Sequence, residues 1–200
     1  KIRAKKVIIA TGAIERSLVF VGNDVPGVML SSAVESFIFR YGVSLGENVA
    51  FVTNNDSIYN LCEDLNKLGI NVPAIIDFRS NINEALIEKV TKIGIDVYPG
   101  WQIEKVIGNK RINQIEISEL ENVDKEASKK HKIKKINCDI LAMSGGWDTN
   151  LHLYSQIGNK INYDANLKCF VPYEEFKNQH MIGSCNGLTG TQDCLNQGFQ

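Results

Sequence analysis

Two short glycine-bearing stretches carry the residue types that a phosphorylated ligand asks of a protein backbone. "ATGA" (residues 10–13) closes the apolar run 7–10, and Gly183-Ser184 closes "HMI". Ligands of open α/β sheets lie beyond the carboxyl ends of the strands. A glycine there lets the backbone lie against a flat or phosphorylated group, and Thr11 adds a hydroxyl. After Gly183-Ser184 a further glycine-bearing loop leads into a helix expected from about Thr189, whose free N–H groups would face the same crevice. Thr11, Gly12, Ala13, Gly183 and Ser184 are the candidate cofactor-binding residues. The competing reading is that Gly12 and Gly183 merely permit turns. The order of the two motifs around an intervening domain makes the pair more specific than either alone.

The stretch "VAFVTNNDSIYNLCEDLNKLGINVPAIID" (49–77) has the strand–helix–strand pattern of a dinucleotide fold. Where G-x-G-x-x-G would stand, the chain has Thr53-Asn54-Asn55-Asp56-Ser57-Ile58. A Cβ therefore occupies all three positions that ordinarily allow the tight turn, the close approach of pyrophosphate and the helix–strand packing. Asp56 is expected to cap the helix, placing a carboxylate where the partial positive charge would attract phosphate. Asp77 stands about where an acid commonly takes ribose hydroxyls, with Arg79 nearby read as a surface arginine. One acid without a phosphate cradle predicts a module that kept its fold and lost tight nucleotide binding.

Other reactive side chains form no constellation. His131 reads as a surface residue, and His152 and His180 as structural, with no carboxylate or cysteine at ligand spacing. Ser144 precedes Gly-Gly without the flanks of a nucleophile elbow. Trp147 is expected to pack the inserted domain onto its neighbour, and Asp148 and Asn150 to cap a helix bearing Leu151 and Leu153. No catalytic residue and no metal ligand is assigned. The five cysteines, Cys62, Cys138, Cys169, Cys185 and Cys194, contain no C-x-x-C. They read as free thiols in a reducing, cytoplasmic setting, a Cys185–Cys194 disulfide being the lesser alternative.

The elements that must position these residues follow from the apolar pattern. The chain has 200 residues, 44% hydrophobic and 22% charged, with formal net charge −1, ordinary values for a globular protein. That charge gives no support for a nucleic-acid or acidic-membrane partner. No apolar run approaches the roughly 18–20 residues that span a bilayer, and "KIRAKKVIIATGA" has no secretory pattern. Strands are expected at 7–10, 49–53, 72–76 and 95–98, and helices at 31–41, 56–68 and 81–94. The inner face of the helix at 56–68 is Ile58, Leu61, Leu65 and Leu68, and that of the helix at 81–94 is Ala85, Leu86, Val90 and Ile93. "WQIEKVIGNKRINQIEIS" alternates about Gly108-Asn109-Lys110 as a hairpin. The charge-rich 119–135 reads as a solvated tip, and "CDILAMSGG" as a returning buried strand. The fold class is α/β: a Rossmann-like nucleotide-binding domain with three-layer ββα character and an antiparallel hairpin, at 45–144. It is inserted into a partial second FAD/NAD-type domain, at 1–44 and 145–200, whose strands at 7–12 and 181–184 are expected side by side. The absent initiator Met and the ending inside a helical pattern read as a segment of a longer polypeptide.

This order matches the two-dinucleotide-binding-domain flavoproteins. "VIIATGAIERSLVFVGNDVPGVMLSSAVESFIFRYGV", "FVTNNDSIYNLCEDLNKLGI", "CDILAMSGGWDTNLHLYSQIGNKINYDANLKCFVP" and "IGSCNGLTG" resemble the α-subunit family of heterotetrameric sarcosine oxidases. The resemblance implies a complex with β, γ and δ subunits that oxidises sarcosine to glycine, forms hydrogen peroxide, and passes a one-carbon unit to tetrahydrofolate. It implies NAD bound in the α subunit's flavin-type domain, at positions matching Thr11, Gly12, Ala13, Gly183 and Ser184. FAD and FMN are implied elsewhere in the complex and not in this segment. Related flavoproteins often carry an Asp where Ser184 stands, which weighs toward another dinucleotide over a flavin. The segment alone is expected to be inactive. The alternatives are an NAD(P)H-dependent flavin oxidoreductase, which needs an intact glycine loop, and a scaffold that binds no nucleotide and docks partner subunits.

Overall fold

The computed structural model describes residues 3–120, 132–174 and 176–199. In chain order its strands are β1 (Val7–Ile9), β2 (Ala13–Glu15), β3 (Val28–Leu30), β4 (Val49–Thr53), β5 (Ala74–Asp77), β6 (Asp96–Pro99) and β7 (Trp101–Gly108). They continue as β8 (Ile112–Glu119), β9 (Lys134–Asn137), β10 (Ile140–Ser144), β11 (Trp147–Thr149), β12 (Ile161–Asp164), β13 (Cys169–Pro172) and β14 (Gln179–Met181). The helices are α1 (Ser31–Glu35), α2 (Ile58–Lys67), α3 (Glu84–Thr91), α4 (His152–Gln156) and α5 (Thr191–Phe199). The chain divides into two compact units, Arg16–Gly146 and Lys1–Glu15 with Trp147–Gln200.

In the Arg16–Gly146 unit a five-stranded parallel sheet runs in the order β3-β10-β4-β5-β6. Strands β4, β5 and β10 are buried at every position, as their near-continuous apolar sequences require of strands covered on both faces. Successive side chains point to opposite faces. Val49, Phe51, Ile75 and Ile140 meet the helical layer at Val34, Tyr59, Leu61, Leu65 and Val90. Ala50, Val52, Ile76 and Leu141 meet the antiparallel sheet β7-β8-β9 at Ile103, Val106, Ile115 and Ile117. The result is three layers: helices, parallel sheet, antiparallel sheet. Within α2 the spacing of Ile58, Leu61 and Leu65 sets the buried stripe, joined by Tyr59 and Cys62. Leu68 lies outside that stripe, half exposed, and Gly69 ends the helix at φ +78°. In α3, Asn83 accepts from Ala85 N as the cap; Val90 is buried with Leu86 beside it, whereas Ala85 and Ile93 face outward.

The first boundary differs from the sequence expectation, falling between Glu15 and Arg16 rather than near Leu45. Residues 28–30 form an edge strand parallel to β10, and Leu141 N donates to Gly27 O at 2.9 Å. This strand is three residues long and follows Pro26-Gly27, so no period-2 pattern announces it. The helix expected over 31–41 is α1 followed by a π-helical turn, Ser36–Arg40, with Leu30 at the N-cap of α1. Gly42 ends it at φ +65°, donating to Ile38 O.

Asp139 ties the start of β10 to β4. Its Oδ2 accepts from Glu47 N at 3.0 Å, Asn48 N at 2.9 Å and Asn48 Nδ2 at 3.1 Å. These donors, the Asn48 backbone N–H first, hold its carboxyl below the usual carboxylate range. A depressed folded-state pKa contributes stability above the unfolded value, about 3.9, and loses it as pH falls below that. Urea midpoints followed from pH 6 to pH 2.5 are expected to fall less steeply for Asp139→Ala than for the native chain.

In the other unit β1 pairs in parallel with β14, Val7 to Gln179 through Ile9 to Met181, and Ile182 N donates to Ile9 O at 3.0 Å. The two expected strands thus lie side by side. Only Ile9 of β1 is buried; Val7 and Ile8 are exposed, because β14 is the one strand paired with β1 among the described residues. Strands β2 and β11 form a short antiparallel pair, and β12 and β13 a hairpin. Residues 121–131, which hold His131 and most of the expected solvated tip, lie outside the described residues. Among those described, no helix is long and apolar enough to cross a membrane.

Candidate functional site

The carboxyl end of β4, the start of α2 and the end of β5 form the crevice in which a dinucleotide fold places its ligand. Polar side chains of the chain itself fill it. Thr53 Oγ1 donates to Asn55 O at 3.0 Å and accepts from Asn55 N at 3.1 Å. Asn55 Nδ2 reaches across to β10, donating to Ser144 O at 3.2 Å and Ser144 Oγ at 3.1 Å. Its Oδ1 accepts from Ser57 N at 3.0 Å, satisfying a donor that a phosphate would otherwise use.

Asp56 does not cap α2. The N-cap is Ser57, whose hydroxyl donates to Asn55 Oδ1 rather than capping the helix, and Asp56 turns to Arg79, with Oδ1 at 2.7 Å from Nη1. Asn55 Oδ1 already takes the Ser57 N–H at the helix start, and Asp56 pairs with the guanidinium, where both partners are charged. Asp77, 0% exposed, accepts from Arg79 N at 2.9 Å, Nε at 3.1 Å and Nη2 at 2.8 Å, and from Tyr59 Oη at 3.0 Å. Arg79 is 27% exposed and is a bridge between two acids rather than a free surface arginine. Donation to the Asp77 carboxylate raises the guanidinium's pKa above its already high value; burial, then the nearby Asp77 carboxylate, raises that of the Tyr59 phenol. Sequence reasoning missed this bridge: the Asp77-x-Arg79 spacing at a strand end signals one half of it, and the Asp56 half comes only with the fold.

In the other unit the five candidate residues follow the carboxyl ends of β1 and β14, where the Ile182–Ile9 bond holds the two strand ends together. Thr11 Oγ1 donates to Asn150 O at 2.6 Å, and Asn150 N donates to Gly12 O at 2.9 Å. Gly12 sits at φ +73° with no atom within 4 Å of where a Cβ would lie. Ala13 opens β2 and pairs with Thr149. Gly183, at φ +74°, donates its N–H to Gln197 Oε1 at 2.7 Å, and Ser184 Oγ lies 3.9 Å from Cys194 Sγ. The Cys185 thiol contacts both Ile9 O and Ile182 O, bracing the two strand ends. Gly12 is thus the candidate position open to an approaching ligand, while Thr11 and Gly183 have internal partners. A cavity of about 420 Å³ lies along the same two strands, lined by Lys6, Ile8, Gln179, His180, Met181 and Gln197 among others, and by none of the five candidates.

The remaining residues of interest are dispersed. Asn150 Oδ1 contacts His152 Nδ1 at 2.6 Å instead of capping α4, whose N-cap is Leu151. Asp148 lies in β11 opposite Ile14, Trp147 is half-buried opposite Glu15, and His180 is half-buried in β14. None of the five cysteines is in a disulfide, and four of them are buried. Among the described residues no three His, Cys, Asp or Glu side chains gather as a metal site.

No protein-family model matches the chain. The sarcosine oxidase subunit alpha of Corynebacterium sp. (strain U-96) is 37% identical over 199 residues, covering 98% of this chain and 20% of the relative. That of Rhizobium meliloti (strain 1021) is 34% identical over 198 residues, covering 99% and 18%. The chain spans about a fifth of the length of the curated relatives it matches. Among solved structures, Lactococcus lactis thioredoxin reductase superposes with TM-score 0.69 at 15% identity over 97% of this chain and 62% of that one. L-proline dehydrogenase from P. horikoshii gives 0.61 at 19% identity over 91% and 30%. A FAD-dependent pyridine nucleotide-disulphide oxidoreductase from Desulfovibrio vulgaris gives 0.67 at 14% over 98% and 52%. At these identities the likeness shows the fold, that of FAD/NAD-binding oxidoreductases.

Proposed function

We propose that this chain, whose sequence resembles the sarcosine oxidase α subunit along nearly its whole length, is an internal stretch of such a subunit and helps to hold its NAD. The observation that carries the reading is that likeness, taken with the paired strand ends of β1 and β14. The parent protein is an oxidoreductase. In this reading it works with β, γ and δ subunits in the cytoplasm, oxidising sarcosine to glycine with formation of hydrogen peroxide. The one-carbon unit passes to tetrahydrofolate, and FAD and FMN sit elsewhere in the complex. The 1–15 and 147–200 parts belong to the outer, NAD-holding domain, and the middle of the chain to an inserted, structural one.

The residues fit a dinucleotide at one position above all. Gly12 leaves unobstructed space over a positive-φ turn next to Thr11, beyond the end of β1, whose partner β14 leads into Gly183 and Ser184. Bound NAD would add a two-electron hydride acceptor; the part of this chain is to hold it. The NAD(P)H-dependent flavin reductase reading needs a working crevice at β4–α2–β5, and the Asp56–Arg79–Asp77 bridge counts against it.

The test is the purified full-length α subunit in its complex, denatured, with released nucleotide identified by mass. NAD is expected. Gly12→Val, which puts a branched side chain into the open space, is expected to lower the released NAD about tenfold, the equivalent of a clash of about 1.4 kcal/mol. Full retention by the variant would remove Gly12 from the site. No nucleotide in the native complex would favour the docking scaffold.

A further inference from the structure

We propose that Arg79 is an internal occupant of the β4–α2–β5 crevice: its guanidinium stands where a dinucleotide would lie and clamps the loop leading into α2 to the end of β5. The missing glycines say only that a phosphate lacks room. The side chains say what took its place.

Asp77 is the acid that an open crevice would offer to ribose hydroxyls. Here it is fully buried and receives three N–H groups of Arg79 and the Tyr59 hydroxyl. Those four donors saturate its lone pairs. Nη1 of the same guanidinium holds Asp56, at the turn into α2, at 2.7 Å. One side chain thus spans the two walls of the crevice. Gly100 N fixes the base of the clamp, donating to Asp77 O at 2.8 Å and Arg79 O at 3.0 Å. Two carboxylates against one guanidinium leave the mouth net negative, which repels a pyrophosphate. Entry of a ligand would require breaking a charge-assisted pair and the Asn55–Ser57 bond at the helix start. The clamp lies wholly within the Arg16–Gly146 unit, so it is independent of whether the other unit holds NAD.

Amide hydrogen exchange on the full chain tests it, with Arg79→Met, Arg79→Lys and Asp56→Asn compared with the native chain, each with and without NADH. Arg79→Met is expected to speed exchange at least tenfold at residues 54–59 and 77–80 and to leave them exchanging faster than β7 and β8. Arg79→Lys, which keeps the charge but cannot fork to both acids, is expected to speed 54–59 even if the Met variant fails to fold. Asp56→Asn is expected to show a smaller acceleration confined to 54–59. NADH is expected to protect neither segment of the native chain, whatever it does at residues 10–13 and 183–184. Native rates at 54–59 in both Arg79 variants, or protection of 54–59 by NADH in the native chain, would overturn the clamp.

Discussion

Arg79→Met is expected to destabilise the Arg16–Gly146 unit by about 3 kcal/mol, the lower end of the range for breaking a buried pair. Asp77 has no exposed surface, and the substitution leaves its charge with the Tyr59 hydroxyl and one backbone N–H. Most of the loss is the cost of that stranded carboxylate rather than the worth of the ion pair. The loss stays at the lower end because the guanidinium keeps partial contact with water, at 27% exposure. Asp56→Asn is expected to cost under about 1 kcal/mol, because Asp56 is 58% exposed and its pair is screened. The decisive measurement is a double-mutant cycle by urea unfolding. Asp77→Asn removes the charge that Arg79 must neutralise, so Asp77→Asn with Arg79→Met should cost less than the two separately, by about 2 kcal/mol. Additivity within about 0.5 kcal/mol would mean that the two residues act independently.

That bridge also marks where sequence reasoning stopped. Strands β4, β5 and β10 and the stripe of α2 were legible because burial on two faces, or on one helical face, imposes a period on apolar residues. The absence of glycine at 54–58 was legible because each glycine of the motif answers a steric need. The choice Asp56 makes between capping α2 and pairing with Arg79 was not. Both options are local in sequence for one partner and distant for the other, and only the fold decides which donor lies closer. Residues 16–30 failed for another reason. A three-residue edge strand that begins at a Pro-Gly turn carries no periodicity, and its partner β10 lies more than a hundred residues away. At the strand ends of β1 and β14 the pairing was readable from two isolated apolar runs. The internal partners of Thr11 and Gly183, namely Asn150 and Gln197, were hidden, since side-chain donors and acceptors leave no spacing rule.

The edge strand makes the second large effect, at Gly27. Its φ is +102°, and a Cβ built there would meet Ile112 Cγ2 at 2.4 Å and Asp139 O at 3.0 Å. Neither neighbour can retreat easily: Ile112 is buried and its N–H donates to Pro26 O at 2.9 Å, while Asp139 N donates to Asn48 O at 2.8 Å and Gly27 O is held by Leu141 N. The backbone at 26–27 is thus pinned between β8 and β10 and cannot relax around a side chain. Gly27→Ala combines backbone strain of about 1–3 kcal/mol with overpacking of about 1–3 kcal/mol. An expected total near 4 kcal/mol, measured by urea unfolding, follows from those two ranges. Gly42→Ala is the internal control, with φ +65° and no atom within 4 Å of the added Cβ, so only strain applies. It should cost about 1 kcal/mol. Because Gly27 precedes β3, its loss should loosen β10 first: amides of 140–144 should exchange much faster in Gly27→Ala than in Gly42→Ala. Native exchange at 140–144 in the Gly27 variant would mean that residues 16–30 lie on the sheet without supporting it, and the unit would then begin near Leu45 after all.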